Sequence, residues 1–389
     1  MVWIATPPLA ARKDGSLWLM GKWEMVRLGD VCIIERGGSP RPIDKYITDD
    51  KDGVNWIKIG DTTPNSMYIT QTKEKIIPKG MKKSRYVKPG DFLLSNSMSF
   101  GRPYILKIEG CIHDGWLVIR DESNIFDKRF LFYYLSSDRT NFEFKGLVEG
   151  GVVSNLNSKM VRDLFIPLPP LPIQQKIANI LDRASSLIDK RKAQIEKLDL
   201  LVKSQFIEMF GESTNSEIKR LDNLCELKPG KFVAATEIKT DFEEGLYPCY
   251  GGNGLRGYVD KYSHEGCYPL IGRQGALCGN VQYVVGKFYA TEHAVVATPK
   301  INIYTLWLSF ALRNQNLNKL ATGAAQPGLT VGKLNDVKIG LPPINRQKRF
   351  ADFVCHVDKS KFELQQRLEK LEILYKSLTQ KCFIGEIYE

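Results

Sequence analysis

The residues best suited to acid–base chemistry are two pairs in which a histidine adjoins a carboxylate, His113-Asp114 and Glu292-His293. Such a pair can exchange protons near neutral pH because the imidazole titrates there. The chain has only 4 histidines, however, and no nucleophile is arranged near either pair in the sequence. We therefore expect no acid–base catalytic site.

The sequence patterns of other catalytic sites are also absent. An amino-methyltransferase holds its flipped base with Asn or Asp before a Pro-Pro-aromatic loop, whereas the Pro-Pro pairs here follow Thr6, Leu168 and Leu341. No Gly-x-x-x-x-Gly-Lys-Ser/Thr loop occurs, which argues against ATP binding. The 8 cysteines include no Cys-x-x-Cys pair, so we expect reduced cytoplasmic thiols and no metal. A nuclease or methyltransferase with an unrecognised site stays open as an alternative, since Asp and Glu are plentiful.

A different chemistry, the reading of base edges, suits several polar and glycine-rich segments, among them Tyr250–Tyr258, which we predict to be a loop. Arg can bond guanine and Asn or Gln can bond adenine, and glycine lets the backbone approach closely. Since the same residue types dominate ordinary turns, the prediction rests on the set of loops in each half of the chain. The candidate DNA-contacting residues are Ser95, Asn96, Ser97, Arg102, His113, Trp116, Asn253, Arg256, Arg273, Gln274, Asn280, His293 and Gln326.

These segments lie between short β-like runs, which predict two α+β domains with twisted, mostly antiparallel sheets. The predicted strands are Val54–Ile59, Asp91–Leu94, Gly115–Ile119, Tyr268–Ile271, Val281–Val285 and Ala294–Ala297. Predicted helices are Lys128–Leu135 and Ile303–Leu312. The net charge of +11 favours an acidic partner such as nucleic acid, although many basic proteins bind none. No run of 18 apolar residues occurs, so we expect no membrane-spanning segment.

The elements that must position these loops are revealed by an internal repeat. The segment Leu168–Ala178 echoes Leu341–Ala351 at an offset of 173 residues, and the match continues without a gap to Phe210 and Phe383. Upstream, Arg27-Leu28 and Cys32 echo Arg220-Leu221 and Cys225 at an offset of 193. Each half is therefore a variable domain followed by a Pro-Pro hinge and a long helix.

Both predicted helices carry apolar residues in heptads, which is typical of a coiled-coil seam. The seam of the first helix is Leu181, Ile188, Ile195 and Val202, and that of the second is Phe350, Val357, Leu364, Leu371 and Leu378. We expect Asn345 to cap the second helix, and the helices to stop at Gly211 and Gly385. Each helix spans about 38 residues, or about 57 Å. If the two seams pair antiparallel, the helices form a spacer with a globular domain at each end.

With its two Leu-Pro-Pro hinges, each followed by a Gln-rich helix start and a heptad helix, the chain resembles the specificity subunits of type I restriction–modification systems. The resemblance covers residues 23–389. Tyr250–Tyr258, Gly272–Gly279 and Thr291–His293 also look like recurring target-domain motifs of that family. The fold expected is α+β: two target recognition domains separated by two long antiparallel coiled-coil helices, with a pseudo-two-fold internal repeat.

The resemblance implies that each target domain reads one half of a bipartite, asymmetric site in double-stranded DNA, while the helices set the gap. It also implies that the helices dock two modification subunits, which carry S-adenosylmethionine and methylate adenine N6. Restriction subunits, with ATP and Mg²⁺, would join them. This chain itself would have no catalytic residue, cofactor or metal, and no membrane partner.

The expected division of the chain follows the repeat. The segments are an N-terminal extension, native or vector-derived (1–22), the first target domain (23–167), a hinge and helix (168–212), the second target domain (213–340), and a second hinge and helix (341–389). A stand-alone DNA-binding regulator is a further alternative, although no helix-turn-helix or zinc-finger pattern supports it.

Overall fold

The computed structural model describes residues 19–20, 22–63, 66–97, 100–149, 155–211, 216–275, 277–323 and 327–387. The chain divides into two compact units. Unit 1 combines Met1–Arg191 with Arg367–Glu389, and unit 2 is Lys192–Gln366. No helix in these described ranges is long and apolar enough to cross a membrane.

Unit 1 combines sheets with helices, as the pattern of short β-like runs predicts. Its strands are Leu19–Met20 (β1), Trp23–Arg27 (β2), Ile33–Arg36 (β3), Ile47–Thr48 (β4), Val54–Ile57 (β5), Tyr68–Ile69 (β6), Glu74–Ile76 (β7), Arg85–Val87 (β8), Phe92–Ser95 (β9), Pro103–Leu106 (β10), Gly110–Ile112 (β11), Trp116–Arg120 (β12) and Phe165–Pro167 (β13). Its shorter helices are Leu28–Val31 (α1), Lys128–Leu135 (α2), Asp138–Glu149 (α3) and Ser158–Arg162 (α4).

Two mixed sheets lie face to face in unit 1, with strand orders β3-β12-β9-β10-β6 and β4-β7-β5-β11-β8. Side chains on β9 alternate between two cores, as expected for a strand buried on both faces. Leu93 packs with Trp116 and Val118 between the sheets, whereas Leu94 and Leu117 face the helices. A small sheet of order β1-β2-β13 joins the start of the unit to the residues before the first hinge.

Unit 2 also combines sheets with helices, but its strands form one main sheet and one small sheet. Its strands are Glu217–Arg220 (β14), Cys225–Pro229 (β15), Tyr247–Gly251 (β16), Gly254–Val259 (β17), His264–Gly272 (β18), Val281–Ala290 (β19), Ala294–Pro299 (β20) and Lys338–Leu341 (β21), and its shorter helices are Leu221–Leu224 (α6), Thr305–Asn314 (α7) and Val331–Asn335 (α8). The main sheet has the order β15-β20-β18-β19-β16-β17, and β14 pairs with β21. All pairs are antiparallel except β16 with β19.

The two heptad segments form the long helices α5 (Leu171–Phe210) and α9 (Ile344–Ile384), of 40 and 41 residues. Each is about 60 Å long at about 1.5 Å per residue. The helix α9 ends where Gly385 takes a left-handed φ of 83°. The prediction that Asn345 caps this helix is wrong: α9 begins one residue earlier, directly after the proline pair, so Asn345 lies in its first turn.

The seams pack antiparallel within each unit. In unit 1 the start of α5 joins the end of α9 in one core, where Leu181 and Phe383 are buried with the domain helix α2. In unit 2 the end of α5 joins the start of α9, where Val202 packs with Phe350 and Val357. Of the other seam residues, Ile188 is buried, whereas Ile195, Leu364, Leu371 and Leu378 are half-buried. The helix pairing and the α+β fold expected from the sequence are confirmed.

A buried glutamine fastens each hinge to its own domain. Gln174 donates to the carbonyl oxygens of Pro169 and Ile125, both at 2.9 Å, and accepts from the backbone N–H of Asp127 at 2.7 Å. One repeat later, Gln347 donates to the carbonyl oxygen of Pro342 at 2.8 Å and accepts from the N–H of Tyr304 at 3.0 Å. Asp127 and Tyr304 precede α2 and α7, so each glutamine links a long helix to a domain helix.

We expect Gln347→Ala to destabilise unit 2 by about 1–3 kcal/mol, because it leaves the N–H of Tyr304 and the buried Pro342 carbonyl oxygen unpaired. Urea unfolding followed by circular dichroism measures the change. Gln365→Ala, at an exposed position on the same helix, is the matched control. Equal midpoints for the two variants would contradict the proposed role of the glutamine.

We also expect Leu181→Ala to destabilise unit 1 by about 2–5 kcal/mol, because this seam side chain is fully buried and its loss leaves a cavity. Leu187→Ala on the same helix removes a side chain that is 55% exposed, and should change stability by about 0.5 kcal/mol or less. Thermal unfolding of the two variants side by side makes the comparison. Similar losses in both would mean that the heptad seam does not stabilise the helix pair.

Candidate nucleic-acid interface

Strand pairing brings the predicted polar loops together within each unit. In unit 1, Ser95 at the end of β9 pairs with Trp116 at the start of β12, so the loops at 95–102 and 112–115 adjoin. In unit 2, Gly272 at the end of β18 pairs with Ala294 at the start of β20, so the loops at 272–280 and 290–293 adjoin. The sheets thus place two loops at one edge of each unit.

A third loop, which directly follows β3 in unit 1 and β15 in unit 2, adjoins the other two loops of its unit. It is not among the loops predicted from the sequence. In unit 1, the N–H groups of Gly37 and Gly38 donate to Trp116 and Ile112 at 2.9 and 3.2 Å. A Cβ atom on Gly37 would lie 2.2 Å from the His113 carbonyl oxygen, so this approach requires glycine.

Unit 2 repeats the arrangement of this third loop. There, Gly230 and Lys231 donate to Ala294 and Ala290 at 2.9 and 3.0 Å. A Cβ on Gly230 would lie 2.1 Å from the Ala290 carbonyl oxygen. The offset of 193 residues, followed from Cys32 to Gly37 and Gly230, is the signal that could have found both loops.

These backbone hydrogen bonds match the loops of the two units residue by residue. Asn96 donates its N–H to Gly115 at 3.0 Å, as Arg273 does to His293 at 3.0 Å. The turn that precedes each strand closes in the same way, from Trp116 to His113 and from Ala294 to Thr291. Asp114 and Glu292 therefore occupy equivalent positions. The loops share a backbone frame but present different side chains.

The structure corrects three of the predicted contacts in unit 1. Ser95, Asn96 and Trp116 are at most 2% exposed, so they cannot touch a ligand in this conformation. Trp116 packs edge-on against Tyr104 between the two sheets, on the same face of β12 as Val118. Ser95 accepts from the Arg102 N–H, and Asn96 donates to the Asp114 carbonyl oxygen at 2.9 Å. These residues shape the loops.

The remaining candidates of unit 1 reach the surface. Arg102 is exposed, and Ser97 is half-buried. The His113 ring accepts from the Gly115 N–H at its Nδ1, at 2.9 Å, so the proton of the neutral ring lies on Nε2. That Nε2 lies 2.9 Å from Asp114 Oδ1, which fixes both ring nitrogens.

Asp114 is the charged centre of the unit 1 loops. Ser39 donates to its carboxylate at 2.8 Å, and Arg41 lies 3.4 Å from the other oxygen. Arg36 donates to its carbonyl oxygen at 3.1 Å. Burial alone would raise the pKa of this carboxyl, but the Ser39 hydrogen bond, the His113 ring and the two arginines outweigh it, and the pKa lies below its ordinary value. Asp114 is therefore ionised at neutral pH and ties the third loop to the others.

In unit 2, the predicted loop Tyr250–Tyr258 is instead a β-hairpin, because β16 and β17 pair directly up to the turn Gly252-Asn253. Asn253 projects at this turn and is exposed. Arg256 is exposed on β17, and the stem of its side chain crosses Gly251, where a Cβ would lie 2.6 Å from Arg256 Cδ. The N–H of Thr291 donates to the carbonyl oxygen of Tyr250, which attaches the hairpin to the 290–293 loop. The strand pairing thus presents two polar candidates beside that loop.

The other candidates of unit 2 cluster on the adjoining loops. Gln274 is exposed, whereas Arg273, Asn280 and His293 are half-buried. Glu292 contacts His293 Nε2 through Oε1 at 3.1 Å. Gln326 lies outside the described residues.

Nothing in the described ranges forms a group of three or more His, Cys, Asp or Glu side chains that could hold a metal. All eight cysteines are free thiols, and burial raises the pKa of Cys225 to about 12. A cavity of about 500 Å³ lies at the opposite end of β9 and β12 from the loops. Its Arg120 is already paired with Asp91 and Glu35, at 3.2 and 2.7 Å. The loop edge of each unit is therefore the candidate functional surface.

Comparisons with known proteins agree with this architecture. The family model of the type I restriction modification DNA specificity domain matches residues 20–198 and 214–373. The EcoprrI specificity subunit of Escherichia coli is 32% identical over 342 residues, which cover 83% of this chain and 84% of that protein. The MjaVIII specificity subunit of Methanocaldococcus jannaschii is 22% identical over 94% of this chain and 93% of its own length.

Two solved structures share the fold. One chain, from a study of complex assembly and conformational transition of the type I R-M system, has a TM-score of 0.62 at 18% identity, covering 93% of this chain and 97% of its own. The type I S subunit from M. genitalium has a TM-score of 0.56 at 16% identity, covering 96% and 98%. With two copies of the family's domain, one in each repeat, the chain belongs to the type I restriction–modification DNA specificity subunits.

Proposed function

We propose that each unit of this specificity subunit reads one half of a bipartite, asymmetric site in double-stranded DNA. The observation that carries the proposal is the pair of loop sets built on matching backbone hydrogen bonds with unlike side chains. Where unit 1 has Arg102, unit 2 has Asn280, since the N–H groups of Ser95 and Gly272 donate to the carbonyl oxygens of these two residues. Because Arg and Asn prefer different bases, two such surfaces favour two different half-sites.

The proposed contact residues are now those with exposed or half-exposed side chains. In unit 1 they are Ser97, Arg102 and His113, and in unit 2 they are Asn253, Arg256, Arg273, Gln274, Asn280 and His293. Phosphate contacts by neighbouring exposed basic side chains, such as Lys231, would supply affinity without sequence preference.

We propose that the paired helices set the gap between the half-sites and dock two modification subunits. Both helices expose large apolar side chains away from the seam, where a monomer gains nothing from them. These are Leu187, Leu200, Leu201 and Ile207 on α5, and Phe362, Ile373 and Leu374 on α9. The modification subunits would carry S-adenosylmethionine and methylate adenine N6, and restriction subunits would bring ATP and Mg²⁺. In this proposal the chain is non-catalytic and works in the cytoplasm.

Methyl transfer by purified proteins tests the division of labour. The chain is mixed with duplex DNA and labelled S-adenosylmethionine, alone and with its modification subunits. We expect incorporation only in the mixture. Incorporation by the isolated chain would refute the non-catalytic assignment.

Replacing single loop residues tests which unit reads which half. We expect Arg273→Ala and Gln274→Ala each to relax discrimination at one half-site only, by about 1–3 kcal/mol. Competition binding with duplexes mutated in one half at a time measures this. Lys338→Ala, exposed on β21 of the same unit, is the control and should leave both halves unchanged. Equal weakening at both halves would assign Arg273 and Gln274 to phosphate contact or to structure.

Shortening both helices tests their role as a spacer. Deleting one heptad from each, Ile188–Gln194 and Leu364–Lys370, removes about 10 Å of helix, close to the rise of three base pairs. We expect a shorter permitted gap with unchanged half-sites, read from the methylated positions in cellular DNA. Changed bases with the original gap would show that the helices do not set the spacing.

A further inference from the structure

Each loop set has a carboxylate at the equivalent backbone position, although the local sequences differ. Asp114 and Glu292 are equivalent by the backbone bonds on either side of them. Each lies close to the Nε2 of an adjacent histidine, at 2.9 Å in unit 1 and 3.1 Å in unit 2. The histidine precedes the acid in unit 1 and follows it in unit 2, so the sequence alone does not align them.

A carboxylate at this edge is unfavourable for binding phosphate, since DNA is densely negative and like charges repel. The chain as a whole is basic, with a net charge of +11. A negative group kept at the same point of both loop sets therefore does something other than raise affinity.

In unit 1 the contacts of the acid indicate what it does. Asp114 binds Ser39 and Arg41 through its carboxylate, and its carbonyl oxygen accepts from Arg36 and Asn96. Residue 114 thereby links the three loops, and its carboxylate holds Arg41, which could otherwise turn freely toward phosphate. Its contact with His113 Nε2 completes the orientation of that ring.

In unit 2 the acid has fewer partners. Glu292 Oε1 meets His293, whereas Oε2 is buried without a hydrogen-bond partner among the described residues. A buried charged oxygen without a donor adds no stability. Glu292→Gln should therefore fold normally.

We propose that Asp114 and Glu292 are positioning residues that orient the neighbouring histidine, and in unit 1 also Arg41, toward bases while disfavouring contact with phosphate alone. The inference rests on the proposed DNA-reading function and adds a specific mechanism to it. Specificity is the difference between the affinities for cognate and non-cognate DNA. A group that lowers the affinity for non-cognate DNA therefore improves discrimination.

The test uses the full chain with its modification subunits and four duplexes: the bipartite site identified from cellular methylation, the same site with either half scrambled, and a fully scrambled duplex. Fluorescence anisotropy at two salt concentrations gives the affinities. The variants are Asp114→Asn and Glu292→Gln, with Asp114→Glu and Glu292→Asp as charge-retaining rescues. Asp52→Asn and Glu244→Gln are matched controls, since each removes one exposed negative charge from the same unit.

We expect Asp114→Asn and Glu292→Gln to raise affinity for the fully scrambled duplex by about two- to fivefold. Each should also lower the preference for one half-site by about tenfold, a different half for each variant. The charge-retaining variants should restore most of that preference, and the controls should match wild type.

Parallel loss of cognate and scrambled affinity, with a lower thermal midpoint, would show a merely structural role and overturn the inference. So would behaviour identical to the controls. If Asp114→Asn fails to fold, Glu292→Gln decides the question alone. A wild-type complex that shows no preference for any bipartite site would refute the proposed function itself, whereas a wild-type preference with unchanged variants refutes only the role of the acids.

Discussion

Burial of the heptad seams is the interaction on which the rest of this structure depends. Unit 1 is discontinuous in sequence, because its core needs the last turns of α9. Unit 2 is a continuous segment, and its core needs both the end of α5 and the start of α9. Phe383 packs against Phe130 of α2 in one unit, as Phe210 packs against Trp307 of α7 in the other. The seams thus complete the two domain cores as well as pairing the helices. The buried glutamines at the hinges strengthen this packing through hydrogen bonds to backbone carbonyl oxygens. A change in either helix is therefore felt in the domain that it completes.

Strand pairing fixes where the loops of each unit begin, while the side chains on those loops differ between the units. The ends of β9 and β12, like those of β18 and β20, fix where the loops start, and glycines at 37 and 230 let a third loop approach within hydrogen-bond distance. Since these contacts run through the backbone, side chains can differ between the units without disturbing the frame. Because the frame is made by backbone hydrogen bonds, one repeated architecture can present Arg102 in one unit and Asn280 in the other.

The long helices could be predicted from the sequence because they follow a regular period. Features that depend on pairing between distant strands and loops could not. The 173-residue offset and the heptads located α5 and α9 to within a residue or two, because a helix depends on neighbours three and four positions away. The hairpin at Tyr250–Tyr258 was read as a loop, since its many glycines resemble turn chemistry until β17 is paired with β16. Trp116 is a predicted DNA contact by sequence, whereas its place on β12 turns its side chain into the core between the sheets. The third loop and the match of Asp114 with Glu292 depend on hydrogen bonds between residues far apart in the chain, which no local pattern carries.

The proposed function requires that one chain carry two unlike DNA-reading surfaces. The most direct measurement is the methylation pattern of DNA from cells that express this chain with its modification subunits, read base by base. The account predicts a single asymmetric motif of two specified parts separated by an unspecified gap of constant length. A continuous motif, or two identical half-sites, would contradict it.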